Sequence, residues 1–264
     1  MKRAWQNLAH KGMFISEIHL LPLKINNYKH MKFKILFTFL FLLSVSFNNS
    51  LFAENENRDV ASFSKIALRI PAKLYITQGN VQSVEIIAKA STLEELITEV
   101  KGRTLNIKFP NKSIFWNNFK PGKIEIHITV PEIDGLSVSG SGDILAKEIK
   151  SRIIDLAISG SGDIVINQLE TNRVTAATSG SGNIIIKAGG IANELTATLS
   201  GSGNIDANNF EASDVSIRIS GSGNCSVTSN GVIKGRVSGS GNVNYKGNPT
   251  TDFSVAGSGR IKKL

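Results

Sequence analysis

Cysteine and histidine are scarce in this chain, and their scarcity excludes several kinds of site. Cys225 is the single cysteine among 264 residues, so no internal disulfide bond can form and stability must come from burial and hydrogen bonding. After residue 53 the chain holds one histidine, His127, within the alternating segment Ile124–Ile128. Its side chain falls on the face opposite the isoleucines, where we expect a surface residue rather than a general base.

A long hydrophobic run is also missing. The most apolar stretch, Ile35–Phe47, has thirteen residues, whereas a membrane-spanning helix needs about 20. The basic start at Met31, this short run and the small Ala53 before polar Glu54 are typical of a secretory signal peptide. We therefore predict a signal peptide at 31–53 and a mature chain from Glu54, with an uncleaved N-terminal anchor as the alternative. Residues 1–30, which precede the signal, are predicted to be a mis-assigned upstream start.

The predicted mature chain lacks the excess of positive charge that the whole sequence shows. The net charge is +9, from 30 basic and 21 acidic residues. Residues 1–53 contain seven of those bases and one of the acids, which leaves 23 bases and 20 acids and a net charge of +3. This balance provides no basic footprint for DNA or RNA, so we predict no nucleic-acid partner.

The most informative feature that is present is a repeated word. Ser-Gly-Ser-Gly, followed by Asp or Asn, recurs at intervals of 18 to 21 residues, a period typical of solenoid proteins. It begins at Ser139, Ser159, Ser179, Ser200, Ser220 and Ser238, and Ala256-Gly-Ser-Gly is a seventh, variant copy. The glycines predict a sharp corner, because they adopt backbone angles that side chains forbid. The Asp or Asn after each word predicts a ladder of hydrogen-bonded side chains.

Apolar and polar residues alternate on both sides of each word, which indicates strands with one face inward. In the second copy, Leu156 and Ile158 precede the corner and Ile164 follows it. Cys225 replaces Ile or Val in this inward pattern, so we expect a buried thiol. A propeller blade needs a period of about 40 to 50 residues. The shorter period predicts an all-β, single-stranded parallel β-helix-like stack in which each repeat of about 20 residues is one coil.

Residues 54–135 lack the word and are predicted to form irregular N-terminal β coils that cap the repeats. Prolines punctuate this segment, which we call the lead. Its predicted strands lie near Lys65–Ile70, Lys73–Thr77, Val81–Lys89, Thr104–Phe109 and Lys123–Val130, with a short helix at Thr92–Thr98. We predict that the lead and the repeat β-helix of residues 136–264 form one continuous domain.

This combination resembles the head GIN domain family of auto-transporter adhesins. The words that carry the resemblance are Val138-Ser-Gly-Ser-Gly-Asp-Ile144, Ile158-Ser-Gly-Ser-Gly-Asp-Ile164 and Leu199-Ser-Gly-Ser-Gly-Asn-Ile205. The resemblance covers the chain from about Val60 to Leu264. It implies a right-handed β-helix in a bacterial protein of the periplasm, the outer membrane or the cell surface.

Other functions of glycine-rich repeats fit the sequence poorly. A phosphate-binding Gly-x-Gly loop opens a helix, whereas each word here leads into a strand, and calcium-binding β-rolls need a period of about nine residues. We predict no catalytic, cofactor-binding or metal-binding residues, and an exported, non-catalytic protein with an adhesin-like binding or structural role. The alternative is a polysaccharide lyase or hydrolase on a β-helix scaffold, because acidic residues are scattered through the coils at Glu148, Asp155, Glu170, Glu194 and Asp214.

One aromatic loop is the candidate contact site. Phe115, Trp116 and Phe119 lie between two predicted strands. Their rings could contact a sugar or a partner protein, or they could close the open end of the stack. The predicted partners are a glycan, a host-matrix component or an envelope protein, and no stable transmembrane anchor is expected.

Overall fold

The glycine-rich words form corners, and the chain between them runs as strands. The structure is a computed structural model that describes residues 53–110 and 119–264. It is a β-solenoid of about six turns with coils of about 20 residues. The predicted all-β repeat stack is therefore confirmed.

The lead and the repeats together contain eighteen strands and one helix within the described residues. In the lead these are β1 Ala53–Asn57, β2 Lys65–Leu68, β3 Lys73–Gln78, β4 Ser83–Lys89, α1 Ala90–Glu95, β5 Ile97–Lys101, β6 Thr104–Lys108 and β7 Glu125–Val130. In the repeats they are β8 Gly135–Gly140, β9 Asp143–Gly160, β10 Ile164–Gly180, β11 Ile184–Ile186, β12 Ile191–Gly201, β13 Asn204–Gly221, β14 Asn224–Thr228, β15 Val232–Gly239, β16 Asn242–Lys246, β17 Thr250–Ala256 and β18 Arg260–Lys263.

The strand positions predicted in the lead are confirmed, but the helix boundaries are wrong. The helix begins at Ala90, two residues before the predicted start, and Ile97 already belongs to β5. β5 pairs in antiparallel register with β6, across a turn in which Gly102 has a φ of 61°. This pairing overrides the helical preference of the Leu-Glu-Glu-Leu stretch, because tertiary hydrogen bonds outweigh local propensity.

Successive coils stack in parallel, and the register places each word directly above the previous one. β10 pairs with β9 so that Ser179 lies beside Ser159 and Gly180 beside Gly160. β2 and β3 of the lead pair in parallel with β8 and β9, so hydrogen bonding continues from the lead into the first repeat. The core lies inside this stack.

The inward positions predicted on both sides of the words are buried as far as Val243, whereas Tyr245 and Phe253 are only partly buried. The core also contains two columns that the repeat pattern did not predict. These columns are Ile154, Val174, Leu195, Val215 and Ile233, and Ile149, Leu169 and Phe210. The prediction was wrong at the last coil, where Val255 is 40% exposed. β17 pairs only with β15 among the described strands, so one side of Val255 has no neighbouring coil.

The two glycines of each word have different roles, which corrects the prediction that both supply unusual backbone angles. The first glycine has a positive φ, 121° at Gly201. The second does not, but a Cβ built on Gly203 would lie 2.2 Å from the carbonyl oxygen of Gly182 in the previous coil. Real Cβ atoms do not approach backbone this closely. The second glycine is therefore required by the tight stacking of corners.

The residues that follow the words form the predicted hydrogen-bonded ladder, which we call the amide ladder. Asn183 Nδ2 donates to Asp163 Oδ1 at 2.9 Å, and Asn204 Nδ2 donates to Asn183 Oδ1 at 2.8 Å. Asn224 and Asn242 continue the series with bonds of 2.9 and 2.8 Å. The ladder is half-buried and satisfies polar groups at every corner from the second word to the sixth.

Candidate functional site

The predicted aromatic contact loop is only partly visible. Phe115 and Trp116 lie outside the described residues. Phe119 is described, and its ring packs edge-on against Phe109, with centroids 5.3 Å apart and an interplanar angle of 80°. Phe109 in turn packs against the hydrophobic core, so Phe119 is anchored to the lead.

The two residues with potential nucleophilic or basic chemistry have structural surroundings. Cys225 is fully buried between Ile205 and Val243 in register, as predicted, and burial raises the pKa of its thiol to about 12. A thiol with so high a pKa is a poor nucleophile at neutral pH. His127 lies on the outer face, and its ring stacks on Tyr75 with centroids 5.0 Å apart.

The scattered acidic residues of the first coils are held in ion pairs on the surface. Lys150 Nζ lies 3.1 Å from Glu148 Oε1 and 3.4 Å from Glu170 Oε2. The hydrogen bond and charge of Glu148, followed by the charge of Glu170, raise the pKa of Lys150. Asp155 Oδ2 lies 3.1 Å from Lys65 Nζ. These carboxylates already have basic partners.

Two acidic residues of later coils come together. Arg173 Nε donates to Glu194 Oε2 at 2.8 Å, and Glu194 lies beside Asp214 in the parallel register of β12 and β13. Adjacent coils are about 4.8 Å apart. Glu194 and Asp214 thus form the one pair from the predicted set of acids that neighbours in register.

A cleft of about 600 Å³ lies where the lead meets the first repeats. Lys65, Arg103, Asp134 and Asp155 are among its lining residues. Arg103 lies 3.0 Å from Asp134 and Lys65 lies 3.1 Å from Asp155. The charges that line this cleft are thus largely matched with one another.

A row of hydroxyl side chains lies on the outer surface of β10, β12 and β13. Thr175, Thr196 and Ser216 neighbour one another in register on three successive coils. Thr198 lies two residues after Thr196 and faces outward with it. We call these four residues the hydroxyl face. Its side chains alternate with the buried Ala197 and its equivalents, so strand alternation aims them all outward.

The hydroxyl face continues into a group of three exposed basic residues, which we call the basic patch: Arg218, Lys234 and Arg236. Arg218 lies beside Arg236 in the register of β13 and β15, and Lys234 lies beside Ser216. All three line a shallow depression of about 250 Å³ together with Thr196 and Thr198 of the hydroxyl face.

The basic patch is not apparent in the linear sequence, because Arg218 and Arg236 are 18 residues apart in the chain and the net charge of the predicted mature chain is small. Aligning the repeats would have revealed it. Arg218 and Arg236 both lie three residues before the first glycine of a word, Gly221 and Gly239. Identical positions in adjacent coils are neighbours in space.

Two further features are absent from residues 53–110 and 119–264. No three His, Cys, Asp or Glu side chains lie close enough together there to hold a metal ion. The same residues contain no helix long and apolar enough to cross a bilayer.

The chain belongs to the family described as "Putative auto-transporter adhesin, head GIN domain". The model of this family matches residues 62–249, which include most of the lead and six of the seven words. The resemblance noted from the words is thus confirmed. No curated protein matches the chain.

Solved structures from Bacteroides and Parabacteroides share this fold. A crystal structure described as a putative adhesin from Bacteroides fragilis NCTC 9343 is 27% identical, with a TM-score of 0.75 over 82% of this chain and 99% of that chain. A putative lipid binding protein from Parabacteroides distasonis ATCC 8503 is 23% identical, with a TM-score of 0.66 over 82% of this chain and 98% of that one. A putative adhesin from Parabacteroides merdae ATCC 43184 is 18% identical, with a TM-score of 0.63 over the same shares. The last two show likeness of fold alone.

Proposed function

We propose that this chain is an exported, adhesin-like protein of the bacterial envelope that binds its ligand without chemical change. The observation that carries the proposal is the hydroxyl face, because Thr175, Thr196, Thr198 and Ser216 present short donors and acceptors on one outer surface. Such a surface suits hydrogen bonding to an extended partner. The family and the 27% identical neighbour named as an adhesin support binding as the function.

Export is the second part of the proposal. The basic, apolar and small-residue segments of 31–53 support cleavage after Ala53. β1 begins at Ala53 and pairs with β4, so a chain that starts at Glu54 retains nearly all of this strand. We place the mature protein in the periplasm, on the outer membrane or at the cell surface. Phe115, Trp116 and Phe119 are proposed as further ligand contacts.

Ligand binding is tested on an array of neutral glycans, acidic glycans, host-matrix proteins and envelope proteins, using the exported chain purified after cell fractionation. We expect binding to at least one class. Thr196→Tyr with Thr198→Tyr should abolish it, because the rings cover the hydroxyl face while keeping a residue type that favours strands. Lys147→Tyr with Asn167→Tyr, exposed residues in another outward column, is the matched control. Equal binding by both variants would contradict the role of the hydroxyl face.

The second candidate function is polysaccharide cleavage, and the neighbouring carboxylates of Glu194 and Asp214 favour it. Glycosidases use two carboxylates, which in retaining enzymes are about 5 Å apart. Release of reducing sugar or of unsaturated sugar from any glycan bound on the array, with loss of that activity in Glu194→Gln and Asp214→Asn, would establish the enzyme. We expect no release, because Glu194 is already engaged by Arg173.

A further inference from the structure

We propose that the basic patch, Arg218, Lys234 and Arg236, binds the acidic groups of a polysaccharide. This inference rests on the proposed binding function and specifies its ligand as a glycan that carries carboxylate or sulfate groups.

The first argument is the arrangement of the cations. Arg218 and Arg236 neighbour each other in the parallel register of β13 and β15, so their backbones are separated by about 4.8 Å. Like charges on neighbouring strands repel one another and destabilise the sheet. A bound anion would remove this repulsion, and two guanidinium groups on one face present parallel N–H donors that fit planar carboxylate or tetrahedral sulfate groups.

The second argument is that the three cations of the patch are unpaired within the described residues, whereas several basic residues elsewhere in the molecule are already neutralised. Lys65, Lys150 and Arg173 each lie within ion-pair distance of a carboxylate. Within the part of the chain that the structure describes, Arg218, Lys234 and Arg236 are exposed and make no ion pair or side-chain hydrogen bond. Their donors are therefore available to a ligand.

Two acidic residues lie near the patch and limit its charge without cancelling it. Asp252 neighbours Lys234 in the register of β15 and β17. Asp214 neighbours Val232, two residues before Lys234. Neither lies beside the two arginines: Thr198 and Ser254 are the register neighbours of Arg218 and Arg236 on the outer sides of the pair. The arginines thus sit between hydroxyl groups.

The hydroxyl neighbours favour a glycan over a lipid surface. Thr196, Thr198 and Ser216 line the same depression as the cations, so an anion held by the arginines would bring the adjoining part of its molecule onto the hydroxyl face. Sugar hydroxyls find partners there, whereas insertion into a bilayer interface requires exposed apolar or aromatic side chains. The described residues that line this depression expose none of the large apolar type. The face also runs along the stack, as a linear polymer would.

The test measures binding of the exported chain to three immobilised polysaccharides: a carboxylated one (polygalacturonate), a sulfated one (heparin) and a neutral one (dextran). Binding is measured at low and moderate salt, and anionic phosphatidylglycerol vesicles serve as a membrane probe. We expect binding to at least one acidic polysaccharide that weakens as salt rises, and none to dextran. Preference between the first two identifies the acidic group.

The decisive variant is Arg218→Ser with Arg236→Ser, which places in both strands a residue type already used at the equivalent Ser254. We expect at least a tenfold loss of affinity with a melting temperature no lower than that of the wild type, because the substitutions also remove the repulsion between the two cations. The matched control is Lys147→Asn with Lys187→Asn, which removes the same charge from another outward column, where Asn167 already stands between them. It should change affinity less than twofold.

Three outcomes would overturn the inference. Equal losses in the two variants would show a general charge effect, and vesicle binding that exceeds glycan binding and requires the two arginines would assign the patch to a membrane. Failure of every acidic polysaccharide, with a neutral glycan or a matrix protein bound on the array, would refute the anionic ligand while leaving the proposed binding function intact. Failure on the whole array would instead refute the proposed function itself.

Discussion

From β8 to β18 every strand pairing is parallel, whereas the lead contains three antiparallel pairings, β1 with β4, β4 with β7 and β5 with β6. The repeats reuse one corner and one ladder, while the lead uses a helix, a hairpin and no word. Both parts join the same hydrogen-bonded sheet, so the contrast concerns how each part specifies its pairing and not the kind of structure that it forms.

This difference shows that a stack of similar parallel coils needs a different strand arrangement at its edge. A parallel coil leaves an unpaired edge on each side, and such an edge is prone to association with other strands. The lead turns β4 back across β7 and adds β1 on its outer side, so its edge is short and carries the charged residues Glu54 and Glu56. The repeats have no such reversal, and their last coil, β17 and β18, stays open to one side within the described residues.

The largest expected effect concerns a core column of the repeats. Cys225→Asp should lower the free energy of unfolding by about 3 to 5 kcal/mol, because it buries a charge without a partner. Cys225→Val should be nearly neutral, because Val243 fills the same position in the next coil.

The lead has no repeated coil whose residues show which substitutions fit. Ala88→Val at a fully buried site should therefore cost about 1 to 3 kcal/mol by overpacking. Urea unfolding measures all three.

A thiol reagent checks the same column independently of mutation. Native Cys225 should react slowly and denatured Cys225 quickly. Fast labelling of the native protein would show that the register is wrong, since a shift by one residue exchanges the inner and outer faces of a strand.

The next effect compares corner glycines. Gly201→Val should destabilise by at least about 2 kcal/mol, because it adds strain at a φ of 121° to a Cβ only 2.5 Å from the Gly180 carbonyl oxygen. Gly102→Ala in the lead has a φ of 61° and no atom within 4 Å of its Cβ, so only backbone strain of about 1 kcal/mol remains. Thermal unfolding of both variants gives the comparison, and a Gly201 variant as stable as the Gly102 one would remove the stacking argument.

The third comparison concerns buried amides. Asn204→Ala should cost about 1 to 3 kcal/mol, because it takes a donor from Asn183 and an acceptor from Asn224 in the half-buried ladder. Asn106→Ala in the lead removes one bond to the carbonyl oxygen of Thr104, a near neighbour in sequence, and should cost less. Chemical denaturation of the two variants measures both losses of stability. A larger loss in Asn106→Ala than in Asn204→Ala would contradict the importance of the ladder.

The effect that is smallest at neutral pH is a dependence of stability on alkaline pH. The folded pKa of Cys225 is raised from 9.0 to about 12, so between these pH values the unfolded chain loses a proton that the folded chain keeps. The contribution of this thiol to the free energy of unfolding is therefore fully present below pH 9. Above pH 9 it falls by about 1.4 kcal/mol per pH unit. Cys225→Val lacks this loss, so the difference between variant and wild type should grow from pH 9 to pH 11. A constant difference would show that the thiol is not buried.

The sequence predicts the repeats well because their information is local and recurs. Each word specifies its own corner, and the alternation of apolar and polar residues around it specifies which side chains point inward. β1 and β5 were missed because their partners are set by distant residues: Ala53 pairs with Lys89, and the strand preference of β5 emerges only when β6 is present. The exposure of Val255 was missed for the same reason, because its burial depends on whether a strand pairs on each side of β17.

The candidate sites divide in the same way. The buried state of Cys225 followed from its column, and the neighbouring positions of Arg218 and Arg236 were present in the aligned words. The ion pair of Lys65 with Asp155 could not be predicted from the sequence, because these residues are 90 positions apart and belong to the lead and to a repeat. Without such pairings the basic residues of the patch cannot be told from those already neutralised.

The hydrogen bonds of the amide ladder all run in one direction along the stack. For this reason a coil can be added without breaking the ladder. Every Asn donates toward the coil before it, and the series starts at Asp163, whose carboxylate only accepts. At the other end Asn242 neighbours Arg260, whose guanidinium only donates. An inserted coil that carries Asn finds an acceptor in the coil before it and a donor in the coil after it. Each word inserted before Arg218 thus lengthens the distance between the lead and the basic patch by about 4.8 Å.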